Sequence, residues 1–284
     1  MDKKIITFQE AFLRTLGITE EPFGVYYTNQ EPQNALTPRS RNLPDPEKER
    51  EGEINWGAMF EDFTCVLGLL WRARKKKVPA YFSKKNFGCF GGAFYLGFLN
   101  RPFSFVAYFV STGIPNCLEG ERYLESPEVT QNFFKTIAPR PAPATFCVFK
   151  PISQFSDEAE PELVIFFARP ESICGLHQLA TFITNDFEAV CSPFGPGCGS
   201  ILTWPLHLIS QGKFKAVLGG WDPSERTYLK TDELTFTVPL EMYKLMLSRW
   251  QESFLVTKTW RSIQKKIEKS KKAWGETIPT QFAE

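Results

Sequence analysis

The chain lacks an excess of either charge. Its 33 Lys and Arg residues balance 32 Asp and Glu residues, which leaves a formal net charge of +1. Proteins that bind nucleic acid by neutralising its phosphates usually carry a basic excess. We therefore expect no nucleic-acid partner. The basic stretch at residues 258–272 is diluted by Glu268, and it predicts a solvated helix.

Long apolar runs are also missing. The longest, near residues 66–71 and 103–110, are far shorter than the ~20 residues that a membrane-spanning helix needs. The first ten residues contain neither an apolar signal core nor a small-residue cleavage site. We expect a cytoplasmic protein without a membrane partner.

Close cysteine pairs of the Cys-x-x-Cys type do not occur among the seven cysteines. The seven are Cys65, Cys89, Cys117, Cys147, Cys174, Cys191 and Cys198. An odd number, wide spacings and no export signal argue against a disulfide framework. The alternatives are buried apolar thiols, a metal or cluster site, or a reactive thiol, and burial is the commonest of these.

What is present is enough apolar material for a large core, with 43% hydrophobic residues and 27 Phe. Apolar spacing predicts helices at residues 7–16, 55–74, 126–137, 171–185, 198–210 and 240–254. Strands are predicted at 23–28, 104–111, 145–149, 163–168, 214–218 and 234–238, and the run at 163–168 is typical of a strand buried on both faces. The mixture predicts an α+β fold, with a single mixed-sheet domain and flanking helices over residues 1–255. Residues 29–54 form a long polar loop in this interpretation, and 256–284 form a basic C-terminal helical tail.

A glycine-rich motif gives the most specific signal, Gly88-Cys-Phe-Gly-Gly-Ala-Phe-Tyr-Leu-Gly-Phe. With the segment from Cys65 to Ala80-Tyr-Phe and the stretches at 162–171 and 197–239, it resembles the domain-of-unknown-function 169 family, also called the ArCR proteins. The resemblance covers roughly residues 10–250. Members occur mostly in anaerobic bacteria and archaea, which implies a place in anaerobic metabolism, but the family brings no established activity. Many members have a further Cys just ahead of the glycine in Ala216-Val-Leu-Gly-Gly-Trp, where this chain has none.

Three cysteines match family positions, namely Cys65, Cys89 and Cys198. Three thiolates can hold an iron–sulfur cluster with one open iron, or another soft metal with an open position. The leading hypothesis is therefore a cytoplasmic cofactor-binding or redox module that holds such a group and serves a redox partner.

The alternative is a metal-free enzyme or a domain that binds a small ligand. Cys198 is the candidate nucleophile, because a helix N-terminus favours the thiolate and Cys198 opens a predicted helix. Arg226 is a candidate contact for a small substrate. Two glycine-rich turns have backbone amides that could hold an anion or a cofactor, and their candidate residues are Gly88, Gly91, Gly92, Gly197 and Gly199.

Each of these features also has a purely structural explanation. Glycines serve tight turns and helix caps as often as they serve ligands. The polar residues Asp222, Arg226, Asp232 and Glu233 could equally form a surface ion network.

Overall fold

The computed structural model describes residues 3–48, 63–156 and 159–275. Its centre is a mixed sheet of seven strands in the order β2-β5-β1-β6-β9-β8-β7. All neighbours pair antiparallel except β7 and β8, which are parallel. The strands are β1 Phe23–Thr28, β2 Ala80–Phe82, β5 Phe146–Pro151, β6 Leu163–Ala168, β7 Val190–Cys191, β8 Ala216–Gly219 and β9 Leu234–Pro239. Two further strands, β3 Gly113–Ile114 and β4 Leu118–Glu119, form a separate ribbon.

Nine α-helices lie in the described part of the chain. They are α1 Lys3–Thr15, α2 Val66–Lys76, α3 Phe90–Tyr95, α4 Ser104–Val110, α5 Pro127–Thr136, α6 Pro170–Thr184, α7 Trp204–Ser210, α8 Leu240–Arg249 and α9 Lys258–Gly275. A π-helical segment, Gly199–Thr203, runs directly into α7. No helix within the described ranges has both the length and the apolar character needed to cross a membrane.

Strand β6 explains why the sheet lies between two helical layers. All six of its residues are buried, and successive side chains of a strand point to opposite faces. Leu163, Ile165 and Phe167 face the core that α2, α3, α4 and α5 cover. Val164, Phe166 and Ala168 face the core formed with α1, α6, α8 and the start of α9. The predicted α+β fold and the doubly buried strand are confirmed.

The prediction for residues 104–111 was wrong. They are rich in aromatic and β-branched residues, which favour strands, yet residues 104–110 form the helix α4. Phe105 and Ala107 are buried in the core of the first layer, and the Phe90 ring lies 6.2 Å from the Phe105 ring. Tertiary packing on a helical layer has overridden the local preference.

Two predicted segments fall partly outside the described residues. The loop at 29–54 is described only to residue 48, where it contains the short 3-10 helix Pro46–Lys48 and a bridge from Leu36 to Ala80. The helix predicted at 55–74 is described from residue 63 onward, and there it begins at Val66. Cys65 therefore precedes the helix on which it was predicted.

The tail helix α9 is attached to the domain by its first turn. Trp260 is buried in the second core, and its indole N–H donates to the Thr15 carbonyl oxygen at 3.1 Å. Near the other end of the helix, Lys271 forms an ion pair with Glu171. Residues 276–284 of the predicted tail lie outside the described residues.

Candidate functional site

A partly open cavity of about 450 Å³ lies at the edge of the first helical layer. Its wall is made from the starts of three helical segments: Cys65 to Leu67 before and within α2, Cys89 to Gly92 around the start of α3, and Gly195 to Cys198 ahead of the π-helical segment. The short 3-10 helix Pro223–Thr227 closes another side. Aromatic side chains from α3, α4 and α5 complete the wall, including Phe90, Phe105, Phe109, Phe133 and Phe134.

All three of the predicted cysteines line this cavity. Cys65 is the residue that precedes α2. Cys89 caps α3, and its sulfur accepts the Gly92 N–H at 3.2 Å. Cys198 is buried, while Cys65 and Cys89 are half-buried. The three are 24 and 109 residues apart along the chain, so only the tertiary fold could bring them to one place.

Burial favours the neutral form of these thiols. It raises the pKa of Cys198 well above its usual value, and the nearby Cys89 and Cys65 raise it further. The pKa of Cys89 is raised to about 11 by burial and by Cys65, and burial also raises the pKa of Cys65. A reactive cysteine needs a lowered pKa. Near neutral pH these surroundings thus disfavour a resting thiolate at Cys198.

The thiols of Cys65, Cys89 and Cys198 line the same cavity but are not arranged as metal ligands. Among the residues that the structure describes, no group of three or more His, Cys, Asp or Glu side chains is arranged to hold a metal ion. A cluster or soft metal would therefore require these side chains to rearrange as their protons leave.

The predicted glycines divide between the cavity wall and the surrounding structure. Gly91, Gly92 and Gly197 line the cavity, whereas Gly88 and Gly199 do not. Gly91 and Gly92 were predicted in a turn, but they lie in the first turn of α3. A β-carbon on Gly91 would meet no atom within 4 Å, but one on Gly92 would lie 2.8 Å from the Val66 Cγ2 atom. Only Gly91 thus leaves space that a side chain could fill.

Glu225 is the wall residue that sequence analysis missed. Its side chain is 2% exposed. The Oε1 atom accepts the Asp222 N–H at 3.2 Å, and the Gly220 N–H also stabilises the ionised carboxyl, but Oε2 has no donor in hydrogen-bond geometry. Oε2 packs directly against Gly197, where a β-carbon would lie 1.8 Å from it and would force the carboxyl to move. The signal was present in the sequence: Asp222-Pro-Ser-Glu has the spacing of a capping box, which is what the structure forms.

The charged groups of the described wall are all acidic. Glu121, Asp222 and Glu225 line the cavity, and no Lys, Arg or His does so within the described ranges. Burial and the nearby Asp222 raise the pKa of Glu225 to about 7. The same two causes raise the pKa of Glu121. Once ionised, these carboxyls would repel an anion, which opposes the anion site expected from the glycines.

The charged side chains of the predicted polar cluster have separate partners. Arg226 donates to four loop carbonyl oxygens, those of Gly220, Lys230, Thr231 and Glu233, at 2.5 to 3.2 Å. Asp232 pairs with Arg169 at 2.8 Å. Glu233 pairs with the buried Arg74 at 2.8 Å. Arg226 thus holds a loop in shape and is not among the residues of the cavity wall.

Together these features define an α+β protein whose Cys- and Gly-rich segments enclose an aromatic, acidic cavity. A family model described as uncharacterised ArCR, the domain of unknown function 169, matches residues 11–249. Since the match spans most of the chain, the protein belongs to this family, as its motifs predicted. Searches of curated proteins and of solved structures found no match.

Proposed function

We propose that this protein binds a small organic molecule in the cavity between the starts of α2 and α3 and the 3-10 helix Pro223–Thr227. One observation carries the proposal: the most specific family motif, Cys89 to Gly92, lines a cavity of about 450 Å³. Ligand sites commonly have volumes of about 300–1,000 Å³.

The wall has the composition of a ligand site. Most of its side chains are apolar or aromatic, with a few polar groups from Cys65, Cys198, Asp222 and Glu225. Apolar walls bind the body of a ligand by removing it from water, while a few polar groups fix its orientation. Tyr123 and Trp221, exposed by 38% and 58%, also line the cavity and give it an aromatic mouth.

The test is to fill the cavity from a position that tolerates a side chain. Gly91→Phe projects a ring into space that is open around Gly91, and Gly91→Ala is the matched control. A fragment library is screened by saturation-transfer NMR against all three proteins. We expect hits that bind the parent and Gly91→Ala and are lost in Gly91→Phe. If every hit survives in Gly91→Phe, the cavity is not the binding site and the proposal is wrong.

A second candidate function is to hold an iron–sulfur cluster or soft metal through Cys65, Cys89 and Cys198. The observation in its favour is that three thiols, far apart in sequence, line one cavity. Metal binding would release the thiol protons that burial retains.

This candidate is tested on protein purified without oxygen. A cluster predicts iron and sulfide in the sample, with visible absorbance that dithionite bleaches and that Cys89→Ser removes. A soft metal such as zinc predicts stoichiometric metal that Cys89→Ser also removes. The exposed Cys117→Ser is the matched control and should leave both unchanged. Colourless, metal-free parent protein rejects the candidate.

A further inference from the structure

We propose that the ligand of this cavity carries a primary ammonium group on an apolar, ring-sized body, and that Glu225 with Asp222 binds the ammonium. This inference rests on the proposed function and assigns its ligand class. It follows from a buried carboxylate oxygen in the wall that has no hydrogen-bond partner, the sign of the charge around it and the aromatic side chains that line the same cavity.

The unpartnered acceptor is Glu225 Oε2. The side chain is 98% buried, since 2% of it is exposed, and its other oxygen is held by the Asp222 N–H. A buried polar group without a partner destabilises the fold, and a charged one does so more strongly. A ligand N–H that reached this carboxylate would offset that destabilisation, whereas a ligand carboxylate would add a second acceptor beside it.

The surrounding charges favour a cation. Asp222, which caps the short helix that carries Glu225, and Glu121, after the β3–β4 ribbon, are both in the wall. Cys65 and Cys198, which directly precede α2 and the π-helical segment, are the thiols near this carboxylate, and burial raises the pKa of both, which favours their neutral form. Arg226 is the adjacent base, but its guanidinium donates to loop carbonyls.

The aromatic wall accommodates the rest of such a ligand. Tyr95, Phe133 and Trp221 line the same cavity. Aromatic faces attract cations, Trp most strongly, and they also pack against an apolar ring. An aromatic amine can therefore place its ammonium group at the acidic side chains and its ring against the aromatic wall.

Three probes that share one ring separate the ligand classes: 2-phenylethylamine, 2-phenylethanol and 3-phenylpropanoate. Their affinities for the parent protein are measured by titration calorimetry at pH 8, where Glu225 is ionised. We expect the amine to bind at least tenfold more tightly than the alcohol, and the acid to bind more weakly still. Glu225→Gln, checked for folding by circular dichroism, should lower amine affinity about tenfold and leave the alcohol unchanged.

The outcomes distinguish this inference from the proposed function. If the alcohol or the acid binds as tightly as the amine, the ligand class is wrong, while loss of that binding in Gly91→Phe would still support the cavity. Amine binding that persists in Gly91→Phe lies elsewhere and overturns the inference. If none of the three probes binds at millimolar concentration, the ligand class is also rejected, and the fragment screen decides the proposed function separately. The comparison of probes needs only the parent protein, so it holds even if Glu225→Gln does not fold.

Discussion

Glu225→Gln should change how stability depends on pH. Burial and the nearby Asp222 raise the pKa of Glu225 from 4.5 to about 7 in the folded protein. Between pH 4.5 and about pH 7, Glu225 therefore keeps its proton in the folded state but has lost it in the unfolded state. Linkage then requires that the contribution of Glu225 to stability is fully present below pH 4.5 and is lost as the pH rises through 7. Gln has no proton to lose, so the variant lacks this dependence.

The magnitude follows from the difference of about 2.5 units between the two pKa values. Each unit corresponds to 1.36 kcal/mol, so the total is about 3 kcal/mol. Most of it falls between pH 5 and pH 8. Glu225 is almost completely buried, so water screens the effect little.

The assay is urea unfolding followed by tryptophan fluorescence at pH 5, 6, 7 and 8. We expect the free energy of unfolding of the parent to fall by about 2–3 kcal/mol relative to Glu225→Gln over this range. A difference in the free energy of unfolding that is the same at every pH reflects the replacement of the carboxyl by an amide, and not the ionisation of Glu225. A difference between the two proteins that stays flat with pH would refute the assignment of a buried, protonated Glu225.

Glu20→Gln is the control with the opposite sign. Burial alone would raise the pKa of Glu20, but hydrogen bonds and charge from Arg74 and Lys230 lower it. Its contribution to stability is therefore present above pH 4.5 and is lost as the pH falls below that value. The parent should be more stable than Glu20→Gln by a nearly constant amount from pH 6 to pH 8, and the difference should shrink only in acid.

Four further substitutions test the packing, each by thermal and urea unfolding. Gly91→Ala should stabilise α3 by up to about 1 kcal/mol through helix propensity, whereas Gly92→Ala should destabilise it by about 1–2 kcal/mol, because its β-carbon meets Val66; equal effects would contradict this. Arg74→Met should cost about 3 kcal/mol by removing the buried ion-pair partner of Glu233, which then keeps only Lys230 at 3.6 Å, and a neutral result would mean that this ion pair is dispensable. Trp260→Ala should cost about 3 kcal/mol, and no effect would show that α9 is not anchored to the domain.

Local sequence was sufficient where one element carries its own signals. Ser126 and Pro127 predicted the start of α5, and the Ser126 hydroxyl oxygen does accept the Val129 N–H at 3.3 Å. The apolar run at residues 163–168 predicted β6 with the correct bounds. Caps and doubly buried strands can be recognised because the cause of each lies within a few residues.

Local sequence was insufficient where a neighbour decides the outcome. Residues 104–110 have the composition of a strand and are a helix, because Phe105 and Ala107 pack into a helical layer. The role of Arg226 could not be predicted from its type, because an arginine in a loop serves a ligand or loop carbonyls depending on the path of that loop.

For the candidate site, the sequence by itself identified part of the cavity wall: Cys65, Cys89 and Cys198, with Gly91, Gly92 and Gly197. The tertiary structure alone decided their arrangement. It placed the three thiols in one cavity, moved Gly88 and Gly199 away from the wall, and added Glu225 with its free oxygen. Spacing along a chain specifies short-range geometry only, whereas a cavity is made by segments that the sheet order brings together. Its electrostatics depend on burial, which no single segment encodes.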